Sequence, residues 1–158
     1  MLKARKVARK TGKSTQYAAL CFRMHKRRGL EILLVTSRGT GRWIPPKGWP
    51  IKGKSPGLSA AVEAFEEAGV RGRVQKTALG RYRYHQSGDQ ETKPASEAYI
   101  FPLEVRLHAG KFKEKGQRKI KWFSPKKAAK LVREPKLKKI IRGFDPTILP
   151  RPLKKMVK

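Results

Sequence analysis

The chain has 158 residues, enough for one domain with a sizeable core, and its 38% apolar content is too high for general disorder. Forty Lys and Arg stand against 11 acidic residues, a net charge of +29, which implies an anionic partner: a phosphate-rich small molecule, a nucleic acid or an anionic surface. No apolar run approaches the roughly 18 residues of a membrane span, and the lone Cys21 excludes an internal disulfide and suits the cytoplasm.

Residues 1–14, MLKARKVARKTGKS, lack the apolar centre of a secretory signal and read as a loose basic arm. The domain proper is expected over 15–145, with a basic tail over 146–158. QYAALCFRM and LEILLVTS are rich in strand formers and flank the turn HKRRG, which predicts a hairpin or a neighbouring strand pair. Cys21 lies inside the first run, as a buried strand thiol. The Gly- and Pro-crowded stretch 38–57 reads as loop, with a short strand at Trp43–Ile44.

A helix follows. Ser55 suits its N-cap, Pro56 its first position and Gly69 its stop. Leu58, Ala61, Val62, Phe65 and Ala68 form its apolar stripe, and Glu63, Glu66 and Glu67 lie largely off that stripe, toward whatever the preceding loop covers. Residues 73–86 read as one strand and SGDQETKP as a polar loop. SEAYIFPLEVRL reads as another strand, in which Pro102 favours an edge or a bulge. A loop over HAGKFKEKGQ, a strand at RKIKWFS, a helix opened by Pro125 and a short helix near 136–142 complete the pattern. No repeat is visible. A strand-rich chain with one central and two late helices predicts one mixed α/β (α+β) domain. His25, His85 and His108 are scattered without metal-ligand spacing and read as surface residues. Trp43 and Trp122 read as core.

The three glutamates carry the chemistry. At i,i+3 and i,i+4 spacing they share one helix face, where like charges cost roughly 0.2–0.5 kcal/mol per pair. A bound cation explains why so basic a chain crowds its scarce acids there. Mg²⁺ or Mn²⁺ is the expected metal, because both prefer oxygen ligands from carboxylates and substrate phosphates. Just upstream, SRGTGRW and PPKG place Arg38, Arg42 and Lys47 as candidate phosphate ligands, and on the next strand downstream Tyr82, Arg83, Tyr84 and His85 are candidates for further contacts.

Gly48, five residues, Lys54, seven residues and then VEAFEEAGV closely resemble the Nudix box, whose pattern is Gly, five residues, Glu, seven residues, then Arg-Glu-apolar-x-Glu-Glu-x-Gly-apolar. The resemblance extends over roughly residues 16–143. LLVTSRGTGRWIPPKGWPIKG and GQRKIKWFS look like the branch that holds diphosphoinositol polyphosphate and diadenosine polyphosphate hydrolases. It implies an α/β/α sandwich around a central mixed sheet, and a pyrophosphohydrolase that opens a phosphoanhydride bond with metal-activated water. It implies Glu63 and Glu67 as metal ligands, Glu66 as a further ligand or the group that activates water, and a backbone carbonyl near Gly48 completing the site. It also implies one additional carboxylate from outside the box, for which Glu97, Glu104 and Glu114 are the candidates, and Glu114 lies in a loop that could reach the site. The sequence departs at Lys54, where the family has Glu, and at Val62, where the family has an Arg that orients box carboxylates. Another Lys or Arg is the expected source of that charge.

The implied substrates are dinucleoside or diphosphoinositol polyphosphates. A triphosphorylated RNA 5′ end is the enzymatic alternative, and a weakly active fold that binds RNA or another polyanion through its basic surface is the non-enzymatic one. The absence of an amphipathic helix or lipidation motif argues against a membrane partner. The sequence leaves the oligomeric state open.

Overall fold

The computed structural model describes residues 15–85 and 95–150. The basic arm, residues 86–94 with all of the polar loop at 87–94, and residues 151–158 lie outside them.

Among the described residues eight strands form one mixed sheet: β1 (Thr15–His25), β2 (Gly29–Thr36), β3 (Trp43–Ile44), β4 (Lys47–Gly48), β5 (Val70–Val74), β6 (Gly80–Tyr84), β7 (Ser96–His108) and β8 (Ile120–Phe123). The helices are α1 (Pro56–Ala68), α2 (Pro125–Leu131) and α3 (Pro135–Arg142), followed by a 3₁₀ turn at Pro146–Ile148. The main path runs β3-β2-β1-β7-β5. β1 and β7 pair in parallel at the centre, Thr15 beside Glu97 through Phe22 beside Glu104, and every other pairing is antiparallel.

Central position explains why β1 reads as an unbroken apolar run. A strand covered on both faces cannot alternate apolar with polar. Its even residues Ala18, Leu20 and Phe22 join Ile32, Leu34, Ile100 and the α2–α3 side chains Ala128, Val132, Leu137 and Ile141 in one core. Its odd residues Ala19 and Cys21 join Leu33, Val35, Phe101, Leu103 and the α1 alanines in the other. The result is the expected α/β/α sandwich. Burial pushes the Cys21 thiol far above its ordinary pKa, so it packs as an inert small side chain. Trp43 meets Phe123 edge-on at 5.0 Å and Trp122 packs beside the second core, as expected of both indoles. Among the described residues no helix is long and apolar enough to cross a membrane.

Three local expectations need correction. The inner face of α1 is Ala60, Ala61, Ala64 and Ala68, flanked by buried Ser59, Glu63 and Glu67, while Leu58, Val62 and Phe65 are only half-buried. Small alanines let the helix lie close on the sheet, and the bulkier residues fall at its margin, where the Arg71 guanidinium covers the Phe65 ring at 3.8 Å.

The stretch expected as one strand over 73–86 is, in its described part 73–85, not one strand. β5 and β6 both pair with the same edge of β7, at Leu103–His108 and Ser96–Ile100 respectively, and the chain loops out between them. Pro102 therefore lies mid-strand rather than at a sheet edge. Its carbonyl accepts from Gln75 N at 3.0 Å, and its missing N–H coincides with the gap in pairing between the end of β5 and the start of β6.

Candidate active site

The 38–57 loop, the N-terminal end of β1, α1 and the 109–119 loop enclose a polar cleft of about 540 Å³. Arg38, Arg42, Lys47, Gly48, Glu63, Glu66 and Glu67 all line it, together with Gln16, Tyr84, His85, Glu114 and Arg118. Lys54 and Arg83 are exposed and outside the lining, and Tyr82 is outside it too, buried in the core. Glu97 and Glu104 also lie elsewhere, paired with Arg81 at 3.7 Å and Arg106 at 3.1 Å.

Local signals set α1. Ser55 Oγ accepts from Leu58 N, Pro56 opens the helix and Gly69 closes it with φ of 71°. Gly48 is held by β4, which pairs with β1 at Tyr17. A Cβ on Gly48 would lie 2.2 Å from Glu63 Cδ, so only a bare backbone fits against that carboxylate. Glu63 and Glu67, one turn apart, are 6% and 4% exposed.

Burial pushes the Glu67 carboxyl up to about 8, against the pull of Arg118, and the charges of Glu63 and Glu114 add to the rise. Burial likewise brings the Lys47 ammonium down to about 8, opposed by Glu67 and Glu134. Lys47 Nζ lies 4.5 Å over the Tyr84 ring, and the Tyr84 hydroxyl donates to Gln16 Oε1.

The loop over 109–119 is stitched onto α1: Ala109 N donates to Gly69 O at 2.7 Å and Glu114 N to Glu66 O at 2.9 Å. That brings Glu114 to the cleft, as its loop position suggested. It also delivers Arg118, which the sequence reading did not single out. Arg118 is 9% exposed. It donates Nε to Glu114 Oε1 at 2.9 Å and Nη1 to Thr36 O at 3.0 Å, and sets Nη2 3.8 Å from Glu67 Oε2. Glu114 is four residues away, but the contacts with Thr36 and Glu67 that seat it in the cleft are distant along the chain, so no local pattern marks it. Glu134, also not singled out, reaches Arg42 from the start of α3 at 3.3 Å.

The donor set is oxygen only, which suits a hard divalent cation such as Mg²⁺ or Mn²⁺. The buried Glu67 carboxylate, crowded by two others, and the bare Gly48 backbone against Glu63 fit such an ion. A complete cage is not preformed: among the described residues, no group of three His, Cys, Asp or Glu side chains is arranged to hold a metal. Glu66 turns to the rim, 29% exposed and 3.8 Å from Lys113 Nζ. Mg²⁺ sites are ordinarily completed by water and substrate phosphates rather than by protein alone.

Residues 14–144 match the family model described as NUDIX domain. A Bos taurus protein named diphosphoinositol polyphosphate phosphohydrolase 3-beta is 34% identical over 137 residues, covering 82% of this chain and 79% of that one. The Homo sapiens diphosphoinositol polyphosphate phosphohydrolase 3-alpha is 32% identical over 139 residues, with the same coverages. Among solved structures, the C. elegans Ap4A hydrolase aligns with a TM-score of 0.59 at 19% identity, covering 85% of this chain and 98% of that one. The NUDIX domain of Shewanella oneidensis NrtR, complexed with ADP ribose, aligns with a TM-score of 0.59 at 15% identity, covering 81% and 85%. At those identities the structural likeness speaks for the fold. The sequence relatives and the matched domain go further, and they agree with the motif spacing: the chain belongs to the Nudix hydrolase family.

Proposed function

We propose that this protein is a divalent-metal-dependent pyrophosphohydrolase that cleaves a phosphoanhydride bond in a highly charged polyphosphate, either a dinucleoside polyphosphate or a diphosphoinositol polyphosphate. One observation carries the reading: buried Glu63 and Glu67 share a cleft with Arg38, Arg42 and Lys47. Carboxylates alone would repel a polyphosphate and cations alone would merely bind it. The two sets together bind a polyanion and hold a cation against it. The named relatives support the substrate class.

Glu63, Glu67 and the backbone at Gly48 would hold Mg²⁺ or Mn²⁺. When bound, the metal supplies Lewis-acid polarisation of phosphoryl oxygens and a more acidic water. Arg38, Arg42 and Lys47 receive phosphate oxygens and orient the chain of phosphates. The water oxygen bonds to one phosphorus, the anhydride P–O bond breaks and the other phosphate departs with its electron pair. In this reading Glu66, at the rim, takes the water's proton or serves as a further ligand. Arg118 supplies beside Glu67 the positive charge that Val62 does not. The buried lone cysteine suits a reducing compartment such as the cytoplasm.

A second reading has one observation in its favour. Glu66 and Glu67 each already face a cation, Lys113 and Arg118. A protein that binds a polyanion such as a triphosphorylated RNA end, with little or no turnover, tolerates that pairing. One assay separates the two. Diadenosine polyphosphates, diphosphoinositol polyphosphates, a nucleotide sugar and triphosphorylated RNA are incubated with Mg²⁺, Mn²⁺ or chelator, beside a Glu67→Gln variant. The enzyme reading expects turnover of at least one polyphosphate, abolished by chelator and cut at least about a hundredfold in the variant. No turnover on any substrate by folded protein moves the binding reading ahead.

A further inference from the structure

Glu134 has no part in the reaction as derived. It directly precedes α3, where a side chain ordinarily caps the helix, yet it makes no capping hydrogen bond. Its carboxylate instead turns inward and is buried, and Oε2 accepts from Arg42 Nη1 at 3.3 Å. Arg42 Nη2 in turn donates to the His85 carbonyl at 3.4 Å, so the guanidinium is held from two sides by elements distant in the chain. Arg42 and His85 line the cleft and Glu134 does not; it grips the arginine from behind.

This arrangement is a poor choice for stability alone. Among the described residues, Arg42 Nε, Glu134 Oε1 and the buried Tyr82 hydroxyl beside them find no hydrogen-bond partner. A Ser or Asp at this position would cap α3, and an apolar residue would avoid burying a charge. What the pair does provide is a fixed fork. A long, unrestrained arginine loses rotamer freedom when it binds phosphate, whereas one already held loses little.

We infer that Glu134 is a positioning residue that holds the Arg42 guanidinium at the cleft wall, oriented to receive a phosphate group of the substrate. The inference rests on the cleft being a polyphosphate site. It makes the start of α3, far from the glutamate helix in sequence, a determinant of substrate affinity rather than of the chemical step.

The test measures KM and kcat on a polyphosphate that the wild type turns over, and affinity for inorganic tripolyphosphate, in wild type, Glu134→Ala, Glu134→Gln, Arg42→Ala and the Ala/Ala double variant. Glu134→Ala is expected to raise KM and weaken tripolyphosphate binding about tenfold, with kcat within about twofold of wild type. Glu134→Gln still accepts from Arg42 and is expected to recover most of that loss. In the Arg42→Ala background, removing Glu134 is expected to add nothing further. Glu134→Asp keeps the charge but falls short of Arg42, and serves if the alanine variant does not fold; it too is expected to raise KM. An unchanged KM in Glu134→Ala or Glu134→Asp overturns the inference, as does an equal loss with and without Arg42. Wild type that binds and hydrolyses no polyphosphate at all overturns the reading of the cleft and this inference with it. Wild type that binds normally, with variants that bind equally well, overturns this inference alone.

Discussion

At Gly48 the missing side chain is a requirement rather than a matter of flexibility. The Glu63 carboxyl occupies the place where a Cβ would stand, at 2.2–2.5 Å for its three nearest atoms. Gly48→Ala must therefore shift Glu63 or the β4 backbone. Overpacking of this kind costs about 1–3 kcal/mol, and a displacement of about 1 Å at a reacting geometry costs about a hundredfold in rate. The variant is expected to show a modest drop in Tm and a disproportionate loss of kcat; a thermal melt and a rate assay check both. A fully active Gly48→Ala protein would place Glu63 outside the chemistry. Glu67 makes the same point electrostatically. Its burial and its two carboxylate neighbours raise its pKa, and only Arg118 and Lys47 pull the other way.

At the scale of elements, what was legible depended on how local the signal was. Ser55, Pro56 and Gly69 bound α1 by backbone chemistry within a few residues, so the helix and its glutamates were readable directly. β4, the split between β5 and β6, and the place of Pro102 were not, because each is set by register against β1 or β7. Arg118 and Glu134 escaped for the same reason: Arg118 meets Glu67 and Thr36, and Glu134 meets Arg42, only through contacts far away in the chain. The buried face of α1 was misread because bulky Val62 and Phe65 outweigh alanine in any apolar pattern, whereas close helix–sheet contact selects alanine.

The β1–β2 hairpin carries its own test. Glu31, 5% exposed, accepts from Arg28 Nε at 2.6 Å and Arg23 Nε at 2.9 Å. The Arg28 hydrogen bond, with that of Arg23, holds its carboxyl below the ordinary value despite burial. A depressed folded pKa means that the stabilisation is fully present above the unfolded value, about 4.3, and is lost as pH falls through the folded one. Melts of wild type and Glu31→Gln should differ at neutral pH and converge as pH drops below about 4. A difference that does not change with pH would remove the charge pair from the explanation.

Over the whole molecule, a chain of +29 draws any polyanion toward its surface, and that attraction weakens with salt. Within that field the cleft is where acids gather: Glu63, Glu66, Glu67 and Glu114 line it, set against Arg38, Arg42, Lys47, Lys113 and Arg118. General basicity binds polyphosphate without a metal, whereas a glutamate-held cation makes binding depend on one. The most direct measurement is therefore calorimetric titration of a slowly hydrolysed polyphosphate into wild type and Glu67→Gln, each with Mg²⁺ and with chelator, at fixed ionic strength. The account predicts that Mg²⁺ tightens binding to the wild type about tenfold or more and leaves the variant nearly unchanged. Equal affinity with Mg²⁺ and with chelator in the wild type would contradict it, and would leave the glutamates of α1 without a metal to hold.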